Sequence, residues 1–297
     1  MEETGTGTVG FVGLGNMGSV LASNLVAAGH RVVANDAAGP ERAPAGARYA
    51  PTVAEVAREA GVVVLSLPDG TASEQVARQI AAADGRRATH VVDTSTIGTG
   101  AAQAIDALLA GHGIAYVDAP VSGGVSGARA RTLAVMYAGP DDACARVLPV
   151  LAGLSDRRHR VGDRAGLAQA MKLANNFLAA TALAATSEAI AFGLSAGLDM
   201  GTMLEVINNS SGRNSATSDK FPNQVLTGRY AAGFANSLMA KDVRLYLRAV
   251  AEAGGTPAIG ELIAAVWERY AGAEPGADFT RIFPYYQELM RKSTSLI

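Results

Sequence analysis

The chain has 297 residues, of which 49% are hydrophobic and 18% are charged, which is enough for the cores of two ordinary domains or of one large domain. Its 25 basic and 27 acidic residues give a formal net charge of -2. This balance argues against nucleic-acid binding, which needs a concentrated basic surface. A small anionic substrate remains compatible, because one or two well-placed cations would be enough to hold it.

The sequence predicts a soluble protein of the cytoplasm. Its single cysteine, Cys144, allows no intramolecular disulfide and fits a reducing compartment. The N-terminus is acidic and Gly-rich, without the basic and apolar regions of a signal peptide. We find no run of about 18 uncharged apolar residues as a membrane span requires. The nearest approach, residues 173–187, contains Asn175, Asn176 and Thr181, so we expect no membrane partner.

The first half of the chain alternates short β-branched runs with Ala-rich helical stretches. The predicted strands are Thr8–Val12, Arg31–Asn35, Val62–Leu67, His90–Asp93, Ala115–Asp118 and Leu133–Ala138. The predicted helices are Met17–Ala28, Val53–Glu59, Ala72–Ala82 and Thr99–Leu109. This alternation indicates βαβ units and a doubly wound parallel sheet.

The second half has a different character. Leu167–Ala196 is a long helical pattern without a charge between Lys172 and Glu188, and a helix that is apolar nearly all round is normally buried among other helices. Further predicted helices are Thr202–Ile207, Ser237–Ala253, Ala258–Tyr270 and Tyr285–Ser293. We therefore predict an α/β domain over residues 1–163 and an all-α domain over residues 164–297.

A glycine motif follows the first strand and opens the first helix: Gly13, Leu14, Gly15, Asn16, Met17 and Gly18. A GxGxxG pattern alone is a weak signal that also occurs in structural turns. In this strand–turn–helix context it is typical of a dinucleotide-binding Rossmann domain, where the glycines allow a tight turn, close approach of a pyrophosphate and close helix–strand packing.

Asp36 ends the second predicted strand, eighteen positions after Gly18. A carboxylate there can accept hydrogen bonds from a ribose diol and would repel a 2′-phosphate, although Asp also commonly caps turns. The nearest following base is Arg42, so no clamp for a 2′-phosphate is evident. We predict NAD as the cofactor in preference to NADP.

Two further segments end strands at the edge where a cofactor would lie. Leu67 and Pro68 either line the adenine or ribose, or only stop the strand. The hydroxyls after Asp93, Thr96 among them, either approach the nicotinamide half or cap the next helix.

Two constellations have the composition of a catalytic site. Ser122, Gly123 and Gly124 are small consecutive residues whose backbone N–H groups can form a nest for a carboxylate or an oxyanion. Lys172 and Asn176 lie four positions apart, and so on one face of the long helix. Burial there should lower the pKa of Lys172, and a neutral amine can take a proton from an alcohol. Equally, Lys172 could snorkel to solvent while Asn176 satisfies a backbone group.

Four motifs in one order resemble the β-hydroxyacid dehydrogenases, the group of 3-hydroxyisobutyrate dehydrogenase and tartronate semialdehyde reductase. They are residues 10–18, residues 118–128, residues 172–176, and Gly233-Phe234 followed by Lys241-Asp242. Together they span most of the chain. The resemblance implies a Rossmann domain followed by a helical domain, and NAD(H)-dependent interconversion of a small 3-hydroxy acid and its semialdehyde.

The resemblance also implies roles for individual residues. Lys172 would be the catalytic acid/base with Asn176 assisting, and Ser122, Gly123 and Gly124 would hold the substrate carboxylate. Thr96 and Lys241 would contact the cofactor, while Phe234 and Asp242 would complete the substrate pocket. The family and the apolar helices also suggest a homodimer or a homotetramer.

Two features fall outside the family pattern. Arg131 stands where the family usually has glycine, and that glycine could hold a special backbone angle. Arg213 lies in a polar loop, where it either reaches a second acidic group of the substrate or is simply a surface residue.

Other functions fit the sequence less well. The four histidines are scattered and Cys144 is alone, so we expect no metal site. No G-x-S-x-G elbow of a serine hydrolase is present. An imine reductase on the same fold remains an alternative, although that group replaces the catalytic lysine. A non-catalytic NAD-binding regulator is the other alternative.

Overall fold

The structure is a computed structural model of the chain, and it describes residues 7–294. The chain divides after Lys172 into two compact units. The first unit contains a nine-stranded sheet with helices, and the second is helical.

The strands of the first unit are β1 Val9–Val12, β2 Val32–Asn35, β3 Arg48–Tyr49, β4 Val62–Leu65, β5 His90–Asp93, β6 Ala115–Asp118, β7 Val121–Ser122, β8 Ala134–Ala138 and β9 Arg157–Gly162. Its helices are α1 Gly18–Ala27, α2 Val53–Glu59, α3 Gly70–Ala81, α4 Thr99–Ala110, α5 Gly124–Arg129 and α6 Asp141–Leu154. A short 3-10 helix, Pro40–Arg42, follows β2.

The sheet order is β3-β2-β1-β4-β5-β6-β8-β7, with β9 beside β8. The six strands from β3 to β6 are parallel, whereas β8 runs antiparallel to β6 and β7. The order therefore reverses between β1 and β4. In open parallel sheets, ligands bind outside the carboxyl ends of the strands at such a reversal.

Helices cover both faces of the sheet, as a parallel sheet requires. On β1, the side chains of Val9 and Phe11 pack into one core with α1 and α6, while Val12 belongs to the other core with α2, α3 and α4. This alternation follows the two-residue period of a strand.

A long helix, α7 Leu167–Ser195, crosses from the first unit into the second. The second unit continues with α8 Met200–Asn208, a π-helical segment Ala216–Val225, α9 Asn236–Glu252, α10 Ala258–Ala273, a 3-10 helix Phe279–Arg281 and α11 Ile282–Thr294. Its core contains Leu183, Ile190, Phe221 and Trp267. By length and composition α7 could cross a bilayer, but its apolar residues help to form this core, as those of a core helix do.

The doubly wound α/β domain followed by helices confirms the predicted fold class. The strands β3, β7 and β9, the helices α5 and α6, the two 3-10 helices and the π-helical segment were not predicted. The division of the chain into residues 1–163 and 164–297 stays a prediction.

Arg131 has a left-handed backbone conformation, with φ of 57°. This is the kind of special angle expected for the glycine that the family usually has at this position. Its guanidinium donates to the carbonyls of Gly153 and Ala152, at 2.7 and 2.8 Å, near the C-terminus of α6. It also lies 3.2 Å from Asp156 Oδ1. These contacts satisfy helix-terminal carbonyls and offset the strain of a left-handed backbone.

We expect Arg131→Ala to be less stable than Arg131→Gly by about 1 kcal/mol, because alanine loses the same hydrogen bonds but keeps the left-handed strain. Urea unfolding of the two variants measures the difference. An alanine variant as stable as the glycine variant would contradict it.

Candidate active site on the carboxyl edge of the sheet

The glycine loop after β1 has the geometry of a dinucleotide site. A Cβ on Gly13, which has φ of 95°, would lie 2.3 Å from the carbonyl oxygen of Ser66, and one on Gly18 would lie 2.0 Å from that of Gly13. A Cβ on Gly15 would meet no heavy atom of the described residues within 4 Å. The loop is therefore closely packed at its two ends and open at Gly15, where a pyrophosphate would approach.

The N-terminus of α1 also suits an anion. Within residues 7–294 no side chain caps this helix end, and its first turn holds no acidic residue. The helix dipole would favour a phosphate at this end, while the backbone N–H groups of Ser19 and Val20 already donate to Gly15 O and Met17 O at 3.0 and 3.1 Å. Around the glycines, Leu14 is buried, Met17 is partly buried and Asn16 is exposed. These residues fit the phosphates of NAD.

Asp36 lies directly after β2, beside the glycine loop. Its Oδ2 accepts a hydrogen bond from the backbone N–H of Leu14 at 2.5 Å, and its Oδ1 accepts from Ala38 N–H at 2.8 Å. The carboxylate is thus held where a ribose diol would reach it. Arg42 is exposed in the following 3-10 helix.

The loops after β4 and β5 are joined by a hydrogen bond. Leu67 N–H donates to Ser95 Oγ at 2.8 Å, and Thr94 donates from both its backbone N–H and its hydroxyl to Leu65 O. Pro68 is exposed and Thr96 is partly buried. The two loops predicted to contact the cofactor therefore form one connected edge.

Ser122, Gly123 and Gly124 form a tight turn between β7 and α5. Ser122 pairs with Ala134 of β8, while Gly123 and Gly124 have φ of 133° and 67°. Residues with side chains rarely adopt these angles, so the turn needs both glycines.

Lys172 is 7% exposed and lies in the second turn of α7, which begins at Leu167. That start is held by Asp118, at the end of β6, whose Oδ2 accepts from the backbone N–H groups of Gly166 at 3.2 Å and Gln169 at 3.0 Å. The carboxylate therefore caps the helix that carries Lys172.

In the helical unit, Asn176 and Asp242 form a buried pair. Asn176 Nδ2 donates to Asp242 Oδ2 at 2.6 Å, and the two residues are 6% and 3% exposed. Lys241 Nζ lies 3.3 Å from Asp242 Oδ1, and Asn175 Nδ2 donates to Asn176 Oδ1 at 3.1 Å. Asn176, Lys241 and Asp242 thus form one charged, hydrogen-bonded cluster.

Phe234 packs edge-to-face on Phe279, with ring centroids 5.6 Å apart. Arg213 is exposed, and its backbone N–H donates to Ser210 O at 3.3 Å.

Two family models cover nearly the whole chain. Residues 8–162 match the NAD binding domain of 6-phosphogluconate dehydrogenase, and residues 166–286 match the NAD-binding region of NADP-dependent 3-hydroxyisobutyrate dehydrogenase. A 3-hydroxyisobutyrate dehydrogenase of Pseudomonas aeruginosa is 36% identical over 297 residues, covering 94% of this chain and 98% of the relative. The chain belongs to the β-hydroxyacid dehydrogenase family.

Solved structures agree with this membership. The 3-hydroxyisobutyrate dehydrogenase of Mycobacterium tuberculosis, solved with L-serine, superposes with a TM-score of 0.88 at 33% identity, covering 94% of this chain and 99% of that one. An imine reductase of Streptomyces aurantiacus has a TM-score of 0.63 at 22% identity, covering 95% and 99%, which shows only a shared fold.

The family, the fold class, the NAD-binding domain and the oxidoreductase class predicted from the sequence are confirmed. The roles of individual site residues stay predictions. Within the first unit, the structure ties the loops that follow β4 and β5 to each other. Within the helical unit, it brings Asn176, Lys241 and Asp242 together.

Sequence reasoning missed the buried polar groups that support this β-hydroxyacid dehydrogenase site. Burial raises the pKa of Asp118 to about 7, and the N–H groups of Gln169 and Gly166 oppose the rise. Burial also raises the pKa of Asp93. Asp93 on β5 lies directly opposite Asp118 on the neighbouring strand β6. Gln169, fully buried, was missed as well. Its position three residues before Lys172 on one helix face was the available signal.

Proposed function

We propose that this protein oxidises a small 3-hydroxy acid to its semialdehyde with NAD, or catalyses the reverse reduction. The observation that carries the proposal is the buried Lys172 on a helix whose start is capped by Asp118 at the carboxyl edge of the nucleotide-binding sheet. The family membership and the L-serine of the Mycobacterium tuberculosis structure support the substrate class, since serine carries its hydroxyl on carbon 3 of a carboxylic acid.

When bound, NAD supplies the hydride acceptor. The Lys172 amine, in its neutral form, would take the proton from the substrate hydroxyl oxygen as the hydride leaves the carbon that carries this hydroxyl, and the C–O bond becomes the carbonyl of the semialdehyde. Burial favours the neutral amine over the ammonium, although the lowered pKa of Lys172 stays a prediction. Asn176, one turn further along α7, would hydrogen-bond the reacting oxygen, and the Asp242 carboxylate fixes the orientation of its amide.

The turn of Ser122, Gly123 and Gly124 would hold the substrate carboxylate. The backbone N–H groups of this turn would form the nest that receives it. A carboxylate fixed there would present the hydroxyl of carbon 3, two bonds from the carboxylate carbon, to Lys172. Phe234 and Asp242 remain proposed pocket residues, and Thr96 and Lys241 remain proposed cofactor contacts.

An imine reductase is the alternative enzyme, and a non-catalytic NAD-binding protein is the alternative without chemistry. Imine reductases of this fold are expected to lack the lysine that this chain has at position 172.

The experiment incubates the protein with NAD and 3-hydroxyisobutyrate, and separately with a cyclic imine and NADPH, and follows the absorbance of the reduced cofactor. We expect NADH formation in the first mixture. Turnover of the imine alone would favour the reductase, and NAD binding without turnover in either mixture would favour the regulator.

We further propose that the protein is cytoplasmic and forms a homodimer or a homotetramer. Several large apolar side chains of the helical unit are exposed, with Leu178 and Phe192 of α7 at 66% and 64%. Large contiguous apolar patches on a protein surface commonly mark an interface. Light scattering of the purified protein would show a mass of two or four chains, whereas a mass of one chain would contradict the assembly.

A further inference from the structure

The start of α7 is joined to the loop after β5 by one buried side chain. Gln169 is fully buried, and its Oε1 accepts hydrogen bonds from the backbone N–H groups of Ile97 at 2.9 Å and Gly98 at 3.2 Å. Its Nε2 donates to Ser95 O at 3.0 Å. One carboxamide thus makes three hydrogen bonds to a loop more than 70 residues away in sequence.

The backbone of Gln169 is fixed as well as its side chain. Its N–H donates to Asp118 Oδ2 at 3.0 Å, and Asp118 is itself fully buried at the end of β6. The first turn of α7 is therefore tied both to the end of β6 and to the loop after β5. The same loop reaches the end of β4 through Ser95 Oγ, which accepts from Leu67 N–H.

Lys172 follows Gln169 by three positions, so both side chains lie on one face of α7 with their Cβ atoms about 5–6 Å apart. The loop that Gln169 holds is the one proposed to contact the cofactor through Thr96. Oxidation requires Lys172 to lie beside the substrate hydroxyl and the cofactor to lie beside the carbon that carries this hydroxyl. A displacement of either by about 1 Å can cost ~10²-fold in rate.

We propose that Gln169 is a positioning residue that sets the location of Lys172 relative to the cofactor loop, residues 94–98, with Asp118 fixing the start of the helix. This inference rests on the proposed 3-hydroxy acid oxidation. Gln169 makes no contact with the reacting atoms in this scheme; it acts through the loop and the helix.

The main test variant is Gln169→Met, which keeps the side-chain length and removes all three hydrogen bonds. We expect kcat to fall by ~10-fold or more, with the KM for the 3-hydroxy acid and the Kd for NAD each changed by less than about threefold. The primary isotope effect on kcat, measured with substrate deuterated at carbon 3, should rise because misplacement slows hydride transfer itself.

Asn24→Leu provides a matched control for lost stability. Asn24 is a buried residue whose Nδ2 donates to the carbonyls of Ala128 and Leu154. Like Gln169 it joins distant backbone segments, but these hydrogen bonds involve neither α7 nor the cofactor loop. If Gln169 served stability alone, both variants would lower the midpoint of urea unfolding and neither would lower kcat of the folded protein. A Gln169→Met variant that folds and keeps normal kcat overturns the proposal.

The pH dependence of kcat in Gln169→Glu provides a measurement that a purely structural role of Gln169 would leave unchanged. The carboxylate cannot donate to Ser95 O, whereas the protonated carboxyl can donate to it and still accept from Ile97 and Gly98. The ratio of its kcat to that of the unmodified protein should therefore increase as the pH is lowered, while the same ratio for Gln169→Met stays flat. A ratio for Gln169→Glu that is independent of pH contradicts the three-bond arrangement.

Hydrogen exchange separates failure of this proposal from failure of the proposed function. In Gln169→Met, without substrate, the amides of Ile97 and Gly98 should exchange at least tenfold faster, and in Asn24→Leu they should not. If the unmodified protein oxidises no 3-hydroxy acid, the proposed function fails even when exchange is faster. If the protein is active and exchange at Ile97 and Gly98 is unchanged in Gln169→Met, the positioning role fails alone.

Discussion

Replacing Lys172 by alanine should lower kcat for oxidation of a 3-hydroxy acid by at least ~10²-fold, the usual scale of general acid–base catalysis, while NAD binding changes little. The physical reason is that no proton acceptor would remain on this face of α7 beside the reacting hydroxyl. Lys172→Arg should fail similarly, because a guanidinium stays protonated and cannot take the proton. Steady-state kinetics at saturating NAD, together with calorimetric titration of NAD, measures both quantities.

The matched control for this experiment is Lys220→Ala. Lys220 lies in the π-helical segment, 34% exposed and paired with Asp219 at 2.6 Å, so its loss should leave kcat within about twofold, as expected for an exposed ion pair. A Lys172→Ala enzyme that keeps near-normal turnover would remove Lys172 from the chemistry.

Exchange of Asp36 for arginine should move the cofactor preference from NAD toward NADP. The carboxylate sits beside the glycine loop, where it would accept from the ribose diol of NAD and repel a 2′-phosphate. One charge-assisted hydrogen bond contributes about 1.5–3 kcal/mol, so the ratio of kcat/KM for NAD over NADP should fall by ~10-fold or more.

Asp36→Asn separates repulsion from attraction, because it removes the charge but can still accept a hydrogen bond. Its ratio should lie between those of the unmodified and arginine proteins. Asp84→Arg, the same charge change at an exposed site, should leave the ratio unchanged. An unmodified enzyme that prefers NADP would show that Asp36 does not select the cofactor.

Periodicity predicted most of the elements because each buries a regular apolar face. Strands β5 and β6 and helix α2 begin and end at the predicted residues. Strand β9 was missed because Arg157-Arg158-His159-Arg160 has no apolar alternation; it lies at the edge of the sheet, where charge is tolerated. The π-helical segment contains Pro222, which lacks an N–H donor and argues against a regular helix.

The parts of the candidate site that could be predicted are those encoded in contiguous sequence. The glycine loop, the Ser122 turn and the spacing of Lys172 and Asn176 are local patterns. The links among them are not local: Gln169 contacts residues 95–98, and Asn176 contacts Asp242. The spacing of Gln169 from Lys172 places the two residues on one helix face, but it does not identify the distant loop that Gln169 contacts.

The measurement that tests the central claim most directly is kcat/KM for four substrates under one set of conditions with NAD: 3-hydroxyisobutyrate, 3-hydroxypropionate, lactate and propanol. In the proposed site, a carboxylate held at Ser122–Gly124 would present carbon 3 to Lys172, so the two 3-hydroxy acids should react best. Lactate places its hydroxyl on the wrong carbon, and an error of about 1 Å in such geometry can cost ~10²-fold. Propanol lacks the carboxylate that would anchor it. If lactate or propanol is the best substrate, the proposed substrate class is wrong, even though NAD is reduced.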